Sequence, residues 1–419
     1  MGFIEHIKKH VVHMGEYIAV LVKWVAIGFV VGVLGGGVGA FFHIGVERAT
    51  ELRMAHPQVL WLLPVAGVVI VALYRALRLE GEGTNKIIES VHFGKNVPVL
   101  LVPLIFVATC LTHLVGGSAG REGAALQIGG GIGYQTGRLM HLDEKDLPLT
   151  TQCGMAALFA ALFGTPLTAA IFALEVISVG VIYYAGLIPC ITAAAVGYGV
   201  AKVMGVAPTR YAILAPAVDT AMMVRVLFLA VACAVVSIIF VRGMHWIEHG
   251  AKKFISGSYR RAIFGGLLLL ILSHSFGTDF NGAGMDVIAR ALEGGAEPWA
   301  WLIKILFTAV TIGFGFKGGE VVPSFFVGAT FGCVLAPLLA IPAPFGAAIG
   351  LVAVFCGAVN CPVASVILSI ELFGAEGLLF FAAACAVSYL MSGYSGLYTS
   401  QIIMYSKKRA QFINVHTKE

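Results

Sequence analysis

Long apolar runs, broken by glycine, proline and sparse charge, make up most of the chain. The stretches "WAWLIKILFTAVTIGFGF" (299–316) and "VLFLAVACAVVSIIF" (226–240) span, or nearly span, a hydrocarbon core of roughly 30 Å. The first such run starts near Tyr17, behind "HIKKHVVHMGE" (6–16), and continues into "GFVVGVLGGGVGAFF" (28–42). No A-x-A-like cleavage site follows it, so it reads as a retained first span and not as a signal peptide. Other apolar segments are short or interrupted by glycine and proline: 84–94, 122–138, 164–177 and 362–373. Re-entrant or half-membrane helices account for these, and they make a count of spans ambiguous.

Composition sharpens the class. Of 419 residues, 59% are hydrophobic and 12% charged, against about 25% charged in an ordinary soluble domain. A packed soluble core needs no such excess, so the chain reads as an all-α polytopic membrane protein. Lysine and arginine gather at Lys8, Lys9 and Lys23, in "KKFISGSYRR" (252–261) and in "KKRAQFINVHTK" (407–418). The positive-inside rule then puts both termini and the middle loop in the cytoplasm. On that reading the net charge of +5 reflects topology, and no nucleic-acid partner is implied. The eight cysteines lie mostly inside apolar runs without C-x-x-C or metal spacing and read as small buried hydrophobes. No metal or cofactor is expected.

An internal repeat organises the rest. "GEGTNKI" (81–87) matches "GAGMDVI" (282–288), "GREGAALQIGGGIG" (120–133) matches "GGEVVPSFFVGATFG" (318–332), and "FAALFGTPLTAAIFALE" (159–175) matches "FCGAVNCPVASVILSIE" (355–371). The pairs 81/282, 122/320 and 175/371 fall in order at offsets of 201, 198 and 196. Two halves follow, 1–214 and 215–407, split near "GVAPTRYAILAPAVD" (205–219), with a short tail at 408–419. Many transporters are built this way, with the site at the repeat interface and broken helices pointing their N-termini at an anion.

Each repeated motif is a glycine-rich turn leading into a helical apolar stretch, with predicted starts near Thr84, Glu122, Glu320 and Thr165. The first N–H groups of a helix lack partners within it and carry partial positive charge. Several such ends converging hold an anion without a fixed cation. The glycines of 28–40, by contrast, read as helix-packing positions. In 116–133 a charge is embedded among glycines, and there Glu122 is the informative residue. Ionised, it occupies an anion's place at a positive helix end; protonated, it loses that attraction and moves aside. Burial favours the neutral form and a helix N-terminus the charged one, so one group couples anion passage to proton passage. The alternative is a glutamate that merely satisfies the helix dipole, paired to Arg121.

These motifs resemble the CLC family of chloride channels and anion/proton antiporters. "GREGA" is similar to that family's G-[KR]-E-G-P, "GTPLTAAIFALE" to the segment after it, and "GGEVVP" to G-x-F-x-P. Tyr398 in "SGLYTSQII" stands where the family has a pore-lining tyrosine. The resemblance covers roughly residues 20 to 407. It implies two inverted-topology repeats with broken or re-entrant helices, a homodimer with one pore per subunit, and Glu122 as the gating and proton-coupling glutamate. Val176 follows Glu175 where chloride/proton members carry a second glutamate, Ala124 replaces the usual proline, and Glu320 the usual aliphatic residue. "GGSAGREG" with "KGGEVVP" resembles the fluoride/proton antiporter branch. There a glutamate matching Glu320 takes part in fluoride and proton handling. The implied anion contacts are Thr84, Asn85, Gly123, Ala124, Val321, Val322 and Tyr398, with Glu82 the alternative to Thr84 in a stricter register. Val322 departs from the branch's threonine.

The expected function is therefore export of fluoride, in exchange for inward protons, from a bacterial inner membrane. A chloride channel or chloride/proton exchanger of the same family is the alternative. From another class, an intramembrane serine hydrolase would use Ser118 in "GGSAG" with His113 or His274. Lys317 either neutralises Glu320 or snorkels. Glu175 and Glu371 end matching stretches and read as proton relays or as solvated or hydrogen-bonded groups. Tyr398 is expected to begin the last helix, and His113 to bond a neighbouring helix.

Overall fold

The computed structural model describes residues 2–418, with side chains from Met14 onward. Lys8 and Lys9 of the orientation argument lie outside the described side chains. The first half of the chain forms α1 (Gly2–Ala55), α2 (Leu63–Ala76), α3 (Thr84–Phe93), α4 (Leu101–Leu114), α5 (Glu122–Leu139), α6 (Leu147–Phe163), α7 (Pro166–Glu175) and α8 (Leu187–Val203). The second forms α9 (Thr220–Phe254), α10 (Ser258–Phe276), α11 (Met285–Leu292), α12 (Ala300–Gly313), α13 (Val321–Leu335), α14 (Ala343–Val359), α15 (Pro362–Phe373) and α16 (Leu378–Met391). Between them, 206–219 runs without regular structure.

Five helical stretches among the described residues are long and apolar enough to cross a bilayer: Met14–Ala55, Pro57–Ala76, Tyr184–Val203, Thr220–Phe254 and Val321–Leu339. The others are short. α12 covers only 14 residues of the 299–316 run, about 21 Å of rise, because the run breaks at Phe314 and Gly315. Phe29, Phe41, Phe228 and Phe264 stay exposed on α1, α9 and α10, as a surface facing acyl chains requires.

The centre is built from two helix pairs, α5 on α6 and α13 on α14. Both crossings depend on missing side chains. A Cβ on Gly129 would lie 2.3 Å from Gly154 O, and one on Gly328 would lie 2.2 Å from Gly350 O. The glycines of 28–40 serve α1 in the same way: a Cβ on Gly36 would meet Gly197 at 2.7 Å, and one on Gly39 would meet Ala161 at 2.7 Å. The packing reading of that stretch holds.

The repeat appears as exchanged hydrogen bonds. Thr311 Oγ1 accepts from Ser118 N–H at 2.9 Å, and Thr112 Oγ1 accepts from Lys317 N–H at 3.3 Å. Glu175, at the end of α7, accepts from the first amides of α15, Val363 (3.0 Å) and Ala364 (2.8 Å). Glu371, near the end of α15, accepts from the first amides of α7, Leu167 (3.0 Å) and Thr168 (2.8 Å), and from the Thr168 hydroxyl (2.6 Å). Each half caps a helix of the other. Both glutamates are hydrogen-bonded, and Glu175, only 4% exposed, is not a solvated group.

One expectation about the chain's last segment fails. Tyr398 does not begin a helix; it lies in a turn leading into β2 (Ile402–Tyr405). The basic tail pairs as β3 (Phe412–His416), antiparallel to β2, which runs parallel to β1 (Ser178–Val179). "IIMY" and "FINVH" are rich in β-branched and aromatic residues that favour strands. His113 bonds the carbonyl of Thr109 in its own helix, at 2.9 Å, not a neighbouring helix. The cysteines are unpaired and, except for half-buried Cys110, buried.

The exchanged caps are open to test. Glu175→Ala, which strips a buried acceptor from α15, is expected to cost about 2 kcal/mol, and Glu371→Ala, at a more exposed helix end, about 1 kcal/mol. Thermal melting in detergent, followed by intrinsic fluorescence, should show both variants unfolding earlier than wild type.

Candidate functional site

The glycines before α5 and α13 bring two helix N-termini face to face. Gly120 N–H donates to Gly319 O, and Gly319 N–H to Gly120 O, both at 2.7 Å. A Cβ on Gly319 would sit 2.3 Å from Gly123 N, and one on Gly123 would sit 2.9 Å from Gly319 Cα. Only bare backbone fits at this crossing. Glu122, Gly123 and Ala124 begin α5, and Val321 and Val322 begin α13, at positions whose N–H groups lack partners within the helix.

Glu122 is fully buried. Its Oε2 accepts from Arg121 N–H at 2.9 Å and, across the interface, from Val322 N–H at 3.3 Å. Its Oε1 lies 3.9 Å from Arg121 Nε and takes no hydrogen bond among the described residues. Glu320, the residue before α13, is half-buried, and a Cβ built on Gly123 would fall 3.3 Å from its Oε2. Each glutamate therefore reaches toward the other half's helix end.

Below them lies a cavity of about 520 Å³ lined by Thr84, Asn85, Gln127, Lys317, Glu320 and Tyr398 among others, but not by Glu122. Lys252 and Arg261, on either side of the α9–α10 turn, also line it. Thr84 is the first helical residue of α3 and not its N-cap; extended Gly83 takes that place. The Thr84 hydroxyl is drawn sideways, donating to Gly123 O at 3.3 Å and accepting from Gln127 Nε2 at 3.2 Å. Tyr398 is 2% exposed, with a phenol oxygen that takes no hydrogen bond among the described residues.

Other predicted residues lie differently. The Asn85 amide is engaged by the 398–401 turn, donating to Thr399 Oγ1 and accepting from Ser400 N–H, both at 3.1 Å. Glu82 lines the cavity in the preceding turn, 3.3 Å from Lys86 Nζ. Lys317 Nζ sits 4.4 Å over the Tyr74 ring, a cation–π contact. The fourth helix start does not join the others, because the Glu371 carboxylate fills the α7 N-terminus. Ser118 pairs its hydroxyl with Thr308 Oγ1 at 3.1 Å, which leaves the serine hydrolase reading without a Ser–His pair among the described residues.

Two polar residues were missed. Gln127 returns its amide one turn back to Gly123 O at 3.2 Å; a lone glutamine in a glycine–alanine run was the available signal. Lys304 is fully buried in α12 and donates to Phe280 O (3.0 Å) and Gly282 O (2.8 Å), tying down the loop before α11. A lysine inside "WLIKILF" is itself the clue.

Comparison with known proteins bears on this geometry directly. A sequence model of the family described as "Voltage gated chloride channel" matches residues 66–393. This chain belongs to that family. A "Chloride/fluoride channel protein" of Pseudomonas syringae pv. tomato is 38% identical to this CLC protein over 398 residues, covering 92% of this chain and 88% of the relative. The crystal structure of a CLC-type fluoride/proton antiporter superposes with a TM-score of 0.88 at 31% identity, covering 91% of this chain and 98% of that one. A slow cyanobacterial Cl−/H+ antiporter shares the fold with a TM-score of 0.78 at 19% identity, covering 88% and 94%. This CLC protein is thus a multi-pass membrane protein and an anion transporter.

The crossing of the two loops should tolerate no side chain. A Cβ on Gly120 would fall 2.2 Å from Glu122 Oε2. Gly120→Ala and Gly319→Ala are expected to lower anion efflux from liposomes by about tenfold or more, as misplaced groups at a site do. Size-exclusion profiles should match wild type.

Proposed function

We propose that this CLC protein exports fluoride in exchange for inward protons, as a homodimer in a bacterial inner membrane. The observation that carries the reading is the Glu122 carboxylate on Val322 N–H, where an anion would otherwise meet the α13 N-terminus. Ionised, Glu122 competes with the anion for these donors. When a proton from outside neutralises it, the attraction to the helix end falls, and the anion takes the place. Glu320, at the head of the cavity, supplies a second carboxyl. Neutral, it donates its O–H to fluoride, replacing part of the tightly held water that the ion sheds. Tyr398 and Thr84 supply hydroxyls on the cavity side, Gly123, Ala124, Val321 and Val322 supply backbone donors, and Asn85 holds the Tyr398 turn. Val176 after Glu175 leaves no second inner glutamate, so the proton leaves through Glu320 and the water of the cavity.

In this reading residues 1–214 and 215–407 are the two repeats, inverted in the membrane, and 408–419 lies on the cytoplasmic side with both termini. The relative named for chloride and fluoride and the neighbour titled a fluoride/proton antiporter support fluoride. A chloride/proton exchanger is the second reading, favoured by Val322, which brings no hydroxyl to the site.

Purified protein in liposomes separates the two. Fluoride efflux read by electrode should exceed chloride efflux and should acidify the lumen, since each proton enters as fluoride leaves. Glu122→Gln is expected to bring proton-coupled flux down to the leak of empty liposomes; continued proton pumping driven by an anion gradient would sink the gating role. Glu320→Gln is expected to stop fluoride turnover, whereas undiminished flux in that variant would favour chloride.

A further inference from the structure

Tyr398 has no helix to hold it, since residues 394–401 run as turns between α16 and β2. Its phenol is nevertheless buried. The contacts that fix its backbone come from three sides, one of them the end of α14, where Leu397 N–H donates to Ala358 O at 3.0 Å and Gln401 Nε2 to Val359 O at 2.9 Å. Asn85 of α3 takes Ser400 N–H and reaches Thr399. On the third side, residues just past β3 lie along the segment. Lys418 N–H donates to Tyr394 O (2.7 Å), Gly396 N–H to Lys418 O (3.1 Å), and Thr417 N–H to Gln401 O (3.1 Å). The Thr417 hydroxyl donates to the carbonyl of Tyr398 itself, at 2.6 Å.

The residues just past β3 are seated closely, although β3 itself is largely exposed. Thr417 is 6% exposed. A Cβ on Gly396 would fall 3.0 Å from Thr417 Cγ2 and 2.8 Å from Asn360 Nδ2, so glycine lets these residues approach. Lys407, in the bend before β3, anchors it by donating to Asn360 Oδ1 (2.5 Å), Tyr389 O (2.7 Å) and Ser392 Oγ (3.2 Å).

We propose that residues 417–418, the segment that follows β3, form a strap that positions Tyr398, with Thr417 as the positioning residue. A peptide carbonyl held by a buried hydroxyl, with ladder bonds on both sides, cannot swing. The Cα–Cβ direction of Tyr398 is thereby set, and with it the depth at which the phenol meets the cavity shared with Thr84 and Glu320. Thr417 touches no ion and acts only through Tyr398.

The flux arm of the test rests on the transport reading above; a second arm does not. In liposomes, Thr417→Val is expected to lower fluoride turnover about tenfold, and Thr417→Ser, which keeps the hydroxyl, to stay within about twofold of wild type. In a Tyr398→Phe background, Thr417→Val should change nothing further, because both act on one group; additive losses would overturn the strap. Gly396→Ala, which keeps Thr417 but displaces the strap, should reproduce the Thr417→Val pattern. Independently of flux, hydrogen–deuterium exchange over 394–401 should quicken in Thr417→Val and Gly396→Ala but not in Thr417→Ser. Unchanged exchange rules the strap out. A wild type that moves neither fluoride nor chloride sinks the transport reading alone.

Discussion

Two helix N-termini, aimed at each other with nothing but glycine backbone between them, are the constraint on which this molecule turns. Each carries partial positive charge from unpaired amides, and bringing two together in an apolar interior is unfavourable unless negative charge joins them. Glu122 does so from one side, through Val322 N–H, and Glu320 leans in from the other. The paired Gly120–Gly319 backbone holds the ends at that spacing. In the function proposed above that place needs an occupant, and a carboxylate on a flexible stem is one that can leave.

Fixed cations stand near the site, with Lys252, Arg261 and Lys317 in the cavity wall and Arg121 beside Glu122. Lys317 lies over the Tyr74 ring, and Lys304 is satisfied by carbonyls of its own half. Dipoles attract an anion without trapping it as a bare buried ammonium would.

Much of this was legible in the chain. The turn-then-helix pattern placed the starts of α3, α5 and α13 within a residue, because glycine followed by a first-turn polar group is a strong local signal. The repeat was legible because Glu122 and Glu320, and Glu175 and Glu371, recur at nearly constant offset. What escaped was non-local. Nothing near Thr165 tells that Glu371 will fill the α7 N-terminus, and nothing near Glu175 points to Val363. Gln127 was passed over because its partner Thr84 lies in another helix. The expected helix at Tyr398 runs against the β-branched residues of "IIMY" that follow it.

The exchanged caps also constrain how the protein is made. The amide of Leu167 finds its acceptor in Glu371, 204 residues further along. The contact joins parts of the chain made far apart in time, so this helix end takes its native partner only after α15 has been synthesised.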